Sequence, residues 1–365
     1  MVIKLVVSDL HVGTGSATGQ FNPFEDFHDD RQFRAFVDHF CAAPYAQTPV
    51  ELILAGDIFD LLKTEVDGSY PDQITEEVAL YKLSRCLNGH PAFLAALRAF
   101  VAAPERRLTY MMGNHDLEIA FPMVQELLRS AVGGPDHRDR IHFVVYEPYY
   151  ELPGGVRIFH GNQFEALNQV NPRKLFITEG VPAPCLNLPW GSVFLLKVLL
   201  PFKEQRPYIN LVQPLSRYLQ AALITDTAFA TSLVAKATYY FVKTRFVESR
   251  RRAGSLKNTL RILLEEGVVY KNFETQAFEI MNKEPSLNAV IMGHSHVPMV
   301  RRGPGDRLYL NTGTWTKLIN LRLTEFGISH RRTYARVDYP DGSDTPRLGL
   351  YQWNGHQDIA EEIQY

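Results

Sequence analysis

The chain has 365 residues, of which 45% are hydrophobic and 21% are charged, and its formal net charge is −2. This composition excludes an intrinsically disordered chain and argues against a general nucleic-acid binder, which would carry a marked positive charge. The three cysteines, Cys41, Cys86 and Cys185, form no CxxC pair, so we expect a reducing compartment, no disulfide scaffold and no thiolate zinc site.

The N-terminal segment MVIKLVVSDLH lacks the pattern of a secretory signal peptide, because its apolar run is short and leads directly into Asp9 and His11. No run of ~18 uncharged apolar residues is present, so no membrane-spanning helix is expected. The segment WGSVFLLKVLLPF (190–202) is either a buried helix or a contact with a membrane interface. We therefore expect a cytoplasmic protein, with peripheral contact to the inner membrane left open.

Six apolar segments, each ending in polar residues, are predicted to be strands buried on both faces. In chain order they are IKLVVSDLH (3–11), VELILAGDIFD (50–60), LTYMMGNHD (108–116), VRIFHGN (156–162), NAVIMGHSH (288–296) and RLYLNTGTW (307–315). Helical patterns lie between them at 33–40, at 74–101 with a break near Gly89, and at 122–131. This alternation predicts an α/β sheet that binds ligands beyond the carboxyl ends of its strands.

The region 165–286 departs from this alternation and shows no convincing buried strand. Three helical stripes occur in it: Leu215, Tyr218, Leu219, Ala222 and Leu223; Leu256, Leu260, Leu263 and Leu264; and Phe273, Ala277 and Ile280. It is also basic between Lys236 and Arg261. We predict a mostly helical insertion at 165–286 in a catalytic domain formed by 1–164 and 287–365, which ends in a hairpin around PDGSDTP.

Oxygen and imidazole donors stand at the ends of the predicted strands. They are Asp9, His11, Asp57, Asn114, His115, His160, His294 and His296. Such donors without thiolates suit manganese, iron, zinc or similar divalent ions. In an extended segment residues i and i+2 point the same way, so Asp9 and His11 are expected to reach one ion. Glycines at 56, 113, 161 and 293 are expected to permit close backbone approach beside the ligands.

In this order the segments DLH, GDIFD, GNHD, HGN and GHSH resemble the signature of the calcineurin-like metallophosphoesterase family. The resemblance covers residues 1–165 and 287–315. It implies a four-layer α/β/β/α sandwich with two divalent metal ions, of which manganese is our first choice and iron or zinc are alternatives. It also implies a hydrolase in which a metal-bridging hydroxide attacks phosphorus.

The resemblance assigns a role to each matching position. The first metal would be held by Asp9, His11 and His296, the second by Asn114, His160 and His294, with Asp57 bridging them. His115 would face the substrate and protonate the leaving oxygen. Asp116 would orient His115 through a hydrogen bond, unless it is a turn residue, and Asp60 is expected to support the site or the fold.

The position of the insertion resembles that in UDP-2,3-diacylglucosamine pyrophosphatases of lipid A synthesis, where a helical lid holds acyl chains. This chain departs from them at His115, where they carry arginine, and at Asn162, where they carry aspartate. The leading prediction is therefore hydrolysis of a pyrophosphate or phosphodiester bond in a lipid-like or nucleotide-sugar substrate such as UDP-2,3-diacylglucosamine.

Three alternatives stay open at this point. One is a nucleotide phosphodiesterase, phosphatase or nuclease whose basic insertion binds nucleic acid. Another is that the basic run is a solvated helix face. The most remote is a non-catalytic scaffold, since every ligand position is filled. The sequence does not indicate an oligomeric state.

Overall fold

The computed structural model describes residues 1–16, 20–243, 273–321, 326–355 and 360–362. Its first sheet has seven strands. In spatial order they are Ala360–Glu362, Arg347–Trp353, Thr333–Tyr339, Val2–Val7, Val50–Ala55, Arg106–Met111 and Ile141–Val144. The four from Val2–Val7 to Ile141–Val144 run parallel, whereas the C-terminal strands join antiparallel. Three predicted strands and the predicted C-terminal hairpin are thus confirmed.

The second sheet has five strands. In spatial order they are Met299–Arg302, Leu308–Asn311, Ala289–Met292, Val156–Ile158 and Tyr150–Leu152. The three central strands are parallel, and the outer two are antiparallel to their neighbours. The remaining three predicted strands are confirmed here, side by side in one sheet.

The two sheets pack face to face. Alternate residues of each strand point to opposite sides, so each central strand contributes one set of side chains to the space between the sheets and another to the helix-covered face. Val6 and Ile53 of the first sheet share a buried cluster with Ile158, Ile291 and Leu310 of the second. Their immediate neighbours on the first sheet, such as Leu5, Val7 and Leu52, instead join a separate cluster beneath helices. These strands are therefore buried on both faces, as their continuous apolar composition predicts.

Helices cover the outer face of each sheet. The first sheet is covered by Asp30–Cys41, Glu76–Gly89, Pro91–Ala102 and Pro122–Gly133, and the second by Phe273–Lys283. The predicted break near Gly89 is confirmed at His90, where one helix ends and Pro91 opens the next. The order helix, sheet, sheet, helix confirms the predicted four-layer α/β/β/α sandwich.

The described part of the insertion is mostly helical, as predicted. Its helices include Trp190–Phe194, continued by the π-helical turn Leu195–Leu199 and by Leu200–Lys203, then Leu215–Thr225, Thr227–Val242 and Phe273–Lys283. It also contains three two-residue strands that the sequence did not indicate: Phe176–Ile177, Cys185–Leu186 and Val212–Gln213. The last pairs with Leu318–Asn320, which in turn pairs with Gly327–Ser329. The predicted stripe at 256–264 lies outside the described residues.

The segment 190–202 is a buried helix, the first of its two interpretations. Val193, Leu196 and Val198 are each at most 3% exposed and belong to the cluster beneath the first sheet's helices. The stripe at 215–223 is less buried than predicted, since Leu223 is 50% exposed. Within the described ranges, no helix has the length and apolar character to cross a membrane.

Candidate metal centre

The predicted ligands lie in the loops directly after five parallel strands, three in the first sheet and two in the second. Asp9 and His11 follow Val2–Val7, Asp57 follows Val50–Ala55, Asn114 follows Arg106–Met111, His160 follows Val156–Ile158, and His294 and His296 follow Ala289–Met292. The packing of the two sheets brings these loops to a single edge. All the predicted ligands are gathered there.

One group of ligand atoms is formed by Asp9, His11 and His296. Oδ1 of Asp9 lies 3.2 Å from Nε2 of His296 and 4.0 Å from Nε2 of His11, and the two Nε2 atoms are 3.0 Å apart. Within the described residues, Oδ1 of Asp9 is buried without a hydrogen-bond partner. A buried carboxylate oxygen facing two imidazole nitrogens is the environment that a divalent cation satisfies. The residues therefore fit the first metal implied by the sequence.

A second group surrounds His160. Its Nε2 lies 3.2 Å from Oδ2 of Asp57 and 3.3 Å from Oδ1 of Asn114, and Asp57, His160 and His294 converge closely enough to share one ion. Nδ1 of His160 lies 2.9 Å from the carbonyl oxygen of Ala55 and can donate to it, so Nε2 can be the unprotonated nitrogen that ligates a metal. Asp57 also converges with His11, which places its carboxylate between the two groups.

The backbone at five of the seven predicted metal ligands is left-handed rather than extended. The φ angles are +53° at Asp9, +52° at His11, +53° at Asp57, +63° at His294 and +60° at His296. The expectation that an extended segment aims Asp9 and His11 the same way is therefore wrong: their strand ends at Val7 and the ligands lie on the turn beyond it. For residues other than glycine this conformation costs roughly 1–2 kcal/mol each. Strain of this kind, concentrated on one set of side chains, is typical of functional sites.

Glycines permit the close approach of these loops, as predicted. A Cβ atom at Gly113 would lie 2.1 Å from Oδ1 of Asp57, and one at Gly293 would lie 2.5 Å from Oδ2 of Asp9. Both distances are well inside van der Waals contact. Any side chain at either position would displace a carboxylate of the centre.

His115 borders the centre and is oriented by Asp60, not by Asp116. Its Nδ1 lies 3.1 Å from Oδ1 of Asp60, whose Oδ2 lies 3.3 Å from Nδ1 of His11. The predicted hydrogen bond from His115 to Asp116 is wrong, because the buried Asp116 carboxylate accepts from three other donors. These are the N–H groups of Ile58 and Gly113 and the hydroxyl of Tyr110. Asp116 thus holds the turn that carries Asn114 and His115.

Two carboxylates of the site, Asp57 and Asp60, are stabilised in their charged form. Burial favours protonation of Asp57, but His160 and His115 hold its pKa well below the usual value. Burial likewise opposes the charge on Asp60, but Lys63, His115 and His11 hold its pKa well below the usual value. Burial lowers the pKa of His11, while Asp60 and Asp57 outweigh burial at His115 and raise its pKa to about 9. Ionised carboxylates beside imidazoles form a donor set for divalent cations, which would displace protons on binding.

Glu165 also contacts this centre, and sequence reasoning did not single it out. Its carboxylate is hydrogen-bonded to Nε2 of His294. Glu165 lies three residues beyond the HGN segment, and no motif marks it. Only the fold, which brings the 162–168 turn against the loop of His294, identifies it.

No family model and no curated protein matches this chain. Among solved structures, it is similar to a dimetal phosphatase from Danio rerio, with 10% identity, a TM-score of 0.39, and coverage of 100% of this chain and 99% of that one. It is also similar to a predicted phosphoesterase from Streptococcus pneumoniae, with 13% identity, a TM-score of 0.31, and coverage of 99% and 97%. A third similar structure is a 5'-nucleotidase precursor from Thermus thermophilus, with 13% identity and a TM-score of 0.31. The match covers 99% of this chain and 56% of that one. Similarity this low carries no argument, so functional conclusions rest on the site itself.

Proposed function

We propose that this chain is a phosphoester hydrolase that depends on two divalent metal ions, in the manner of the calcineurin-like metallophosphoesterases. The observation that carries the proposal is the convergence of oxygen and imidazole donors from five loops, most of them on left-handed backbone. A structural role alone does not account for so many strained, buried donors facing one another. The resemblance in the sequence supports the same reaction class.

The donors divide into two sets that would hold the two ions. Asp9, His11 and His296 form one set; Asn114, His160 and His294 form the other, with Asp57 between them. Divalent ions bound here would polarise a phosphoryl oxygen and make water a stronger nucleophile near neutral pH. The metal that we expect is manganese, with iron and zinc as alternatives, because the donor set does not discriminate among them.

His115 is placed to handle the proton of the leaving group. Its side chain is 22% exposed, whereas that of Asp60 behind it is 1% exposed. With Nδ1 hydrogen-bonded to Asp60, Nε2 is the nitrogen left to donate a proton to a departing oxygen. Such help matters most for poor leaving groups such as alkoxides.

We propose an amphipathic substrate, with UDP-2,3-diacylglucosamine as its test representative. Support comes from large apolar side chains that the insertion exposes on two neighbouring helices: Leu223, Ile224, Val234, Tyr239 and Val242. Lys236 and Lys243 lie on the second of these helices or directly after it. Apolar and cationic groups together suit an acylated phosphate better than a free nucleotide. The segment 190–202 offers no such surface, because it is buried.

The decisive experiment compares substrates on metal-free protein with and without added Mn²⁺. The substrates are p-nitrophenyl phosphate, bis(p-nitrophenyl) phosphate, a single-stranded oligonucleotide and UDP-2,3-diacylglucosamine. We expect Mn²⁺-dependent hydrolysis, fastest on the acylated substrate, and loss of metal and activity in Asp57→Asn. Preference for the oligonucleotide would move the chain to the nucleases. Failure of Mn²⁺, Fe²⁺ and Zn²⁺ alike to support hydrolysis of any of the four substrates would refute the proposal.

A further inference from the structure

His294 is held by a carboxylate at the point where the insertion begins. Nε2 of His294 is hydrogen-bonded to Oε2 of Glu165, and the same oxygen accepts a 2.6 Å hydrogen bond from Nδ2 of Asn168. The His294 side chain is 8% exposed and that of Glu165 is 36% exposed. The contact therefore lies at the rim of the metal centre, between the insertion and the second sheet.

The turn that carries Glu165 is fixed by its own hydrogen bonds. The N–H of Glu165 donates to the carbonyl of Asn162 at 3.1 Å, and the N–H of Asn168 donates to the carbonyl of Glu165 at 3.0 Å. Nδ2 of Asn162 donates to the carbonyl of Asn168 at 3.0 Å. This closed turn fixes the backbone from which the Glu165 carboxylate reaches His294.

The insertion helix Trp190–Phe194 contacts the same turn. The N–H of Gly191 donates to the carbonyl of Leu167 at 2.8 Å. A Cβ atom at Gly191 would lie 2.0 Å from Oδ1 of Asn168, so only glycine allows the helix to approach this closely. The position of the helix and the position of Glu165 are thus linked.

The far end of the insertion reaches His294 as well. The ring of Phe273, the first residue of the helix Phe273–Lys283, meets the His294 ring edge to face at 6.0 Å between centroids. His294 therefore contacts residues from both ends of the 165–286 region. An imidazole held on two sides has little freedom to turn.

We propose that Glu165 is a positioning residue for His294 and links the insertion to the second metal site. Donation of the Nε2 proton to Glu165 selects one tautomer and leaves Nδ1 as the nitrogen that can bind a metal. Carboxylate–histidine–metal arrangements use this principle, and loss of the carboxylate typically weakens metal binding 10- to 100-fold. The inference rests on the proposed function, because it takes His294 as a metal ligand.

The test measures metal binding rather than hydrolysis. Metal-free wild type, Glu165→Gln and Glu165→Ala are titrated with Mn²⁺ by calorimetry, and bound Mn²⁺ is followed by electron paramagnetic resonance. Glu179→Gln is the matched control, because Glu179 is an exposed glutamate of the same region. Thermal unfolding of each metal-free variant shows whether its fold is intact.

We expect two Mn²⁺ ions per chain in the wild type and in Glu179→Gln. In Glu165→Ala one of the two sites should weaken by 10- to 100-fold while the other keeps its affinity. Glu165→Gln should retain most of the affinity, because its amide oxygen still accepts the Nε2 proton.

Two results would overturn the inference while leaving the proposed function intact. Wild-type affinity of both sites in Glu165→Ala would mean that Glu165 does not position His294. Equal loss in the alanine and glutamine variants would make Glu165 a direct metal ligand. If the wild type binds neither Mn²⁺ nor, in a parallel titration, Zn²⁺ or Fe²⁺, the proposed function fails first, and the inference fails with it.

Discussion

His11 and His115 share the carboxylate of Asp60, one oxygen each. Lys63 lies against the same carboxylate at 2.5 Å and helps to keep it ionised. A single buried charge therefore orients a metal ligand and the candidate proton donor together. This arrangement ties the geometry of the metal centre to that of the leaving-group side.

We expect His115→Ala to lower kcat by about 10²- to 10⁴-fold on an alkyl phosphoester. The loss should be much smaller on the p-nitrophenyl ester, whose leaving group departs without a proton. Steady-state kinetics on the two substrates measure the difference, and His142→Ala, at an exposed histidine on the edge strand, is the control. Equal losses on both substrates would mean that His115 acts through the metals instead.

The residue types of the site could be predicted from the sequence, but the contacts among them could not. The family resemblance assigns the orienting role to Asp116, the residue directly after His115. Asp60 performs that role from a position 55 residues earlier, because two neighbouring parallel strands end side by side. Such a contact depends on which strands pair, and the sequence does not show this. The left-handed backbone at Asp9 and His294 is likewise not indicated by any sequence pattern.

The loop 20–30 is an element whose acidic residues are structural. Glu25 accepts from the N–H groups of Gly13 and Gly15, and Asp29 forms a two-pronged ion pair with Arg332. Asp26 is buried between Lys63 and Lys203. The spacing of charges in the sequence does not reveal these partners, which only the fold brings together.

Lys203 belongs to the predicted insertion, so its ion pair with Asp26 connects the insertion to this loop. It is fully buried and also donates to the carbonyl of Pro207 at 3.0 Å. Removing one partner from a buried pair typically costs about 3–5 kcal/mol. The Lys203–Asp26 ion pair thus stabilises the contact between the insertion and the loop 20–30.

The exposed apolar surface of the insertion provides the test of the amphipathic substrate. Ile224 is 87% exposed, so Ile224→Ser should leave the fold intact. A change in the segment 190–202, such as Leu195→Glu, is not suitable for this test, because Leu195 is buried and the new charge would lie in the core. We expect Ile224→Ser to raise KM several-fold for UDP-2,3-diacylglucosamine, because a buried side chain of this size is worth about 1.5–3 kcal/mol at most. KM for bis(p-nitrophenyl) phosphate should not change.

The matched control for this change is Ile328→Ser, at an isoleucine that is 76% exposed but lies outside the insertion. It should leave KM for both substrates unchanged. If both serine variants behave alike on the acylated substrate, the helices at 215–242 do not bind its acyl chains. The apolar surface would then need another explanation.

At the scale of the whole molecule, the four-layer order was implied by the family resemblance, and only an α/β sheet with helices outside it followed from the alternation of apolar strands and helical patterns. The division of the strands between two sheets could not be predicted in this way, because short buried strands of similar composition do not indicate which strands they pair with. The helix Phe273–Lys283 shows the consequence: it falls inside the predicted insertion but packs on the second sheet through Ala277 and Met281. The domain boundaries themselves stay a prediction.

The division of the ligands between the sheets makes the metal centre a link across the sandwich. Asp9, Asp57 and Asn114 come from the first sheet, whereas His160, His294 and His296 come from the second. Ions that bind all of these donors can bind only the packed arrangement. Metal binding should therefore stabilise the whole folded chain and not one loop.

We expect Mn²⁺ to raise the Tm of the metal-free protein by several degrees. At a free concentration 100 times Kd, each site contributes about 2.7 kcal/mol to the free energy of unfolding, provided that the unfolded chain does not bind. Asp57→Asn should lose most of this rise, because Asp57 serves both groups of donors, whereas His142→Ala should keep it. An unchanged Tm in the wild type at saturating Mn²⁺ would mean that the two sheets do not share a metal, since a cation bound across them must resist their separation.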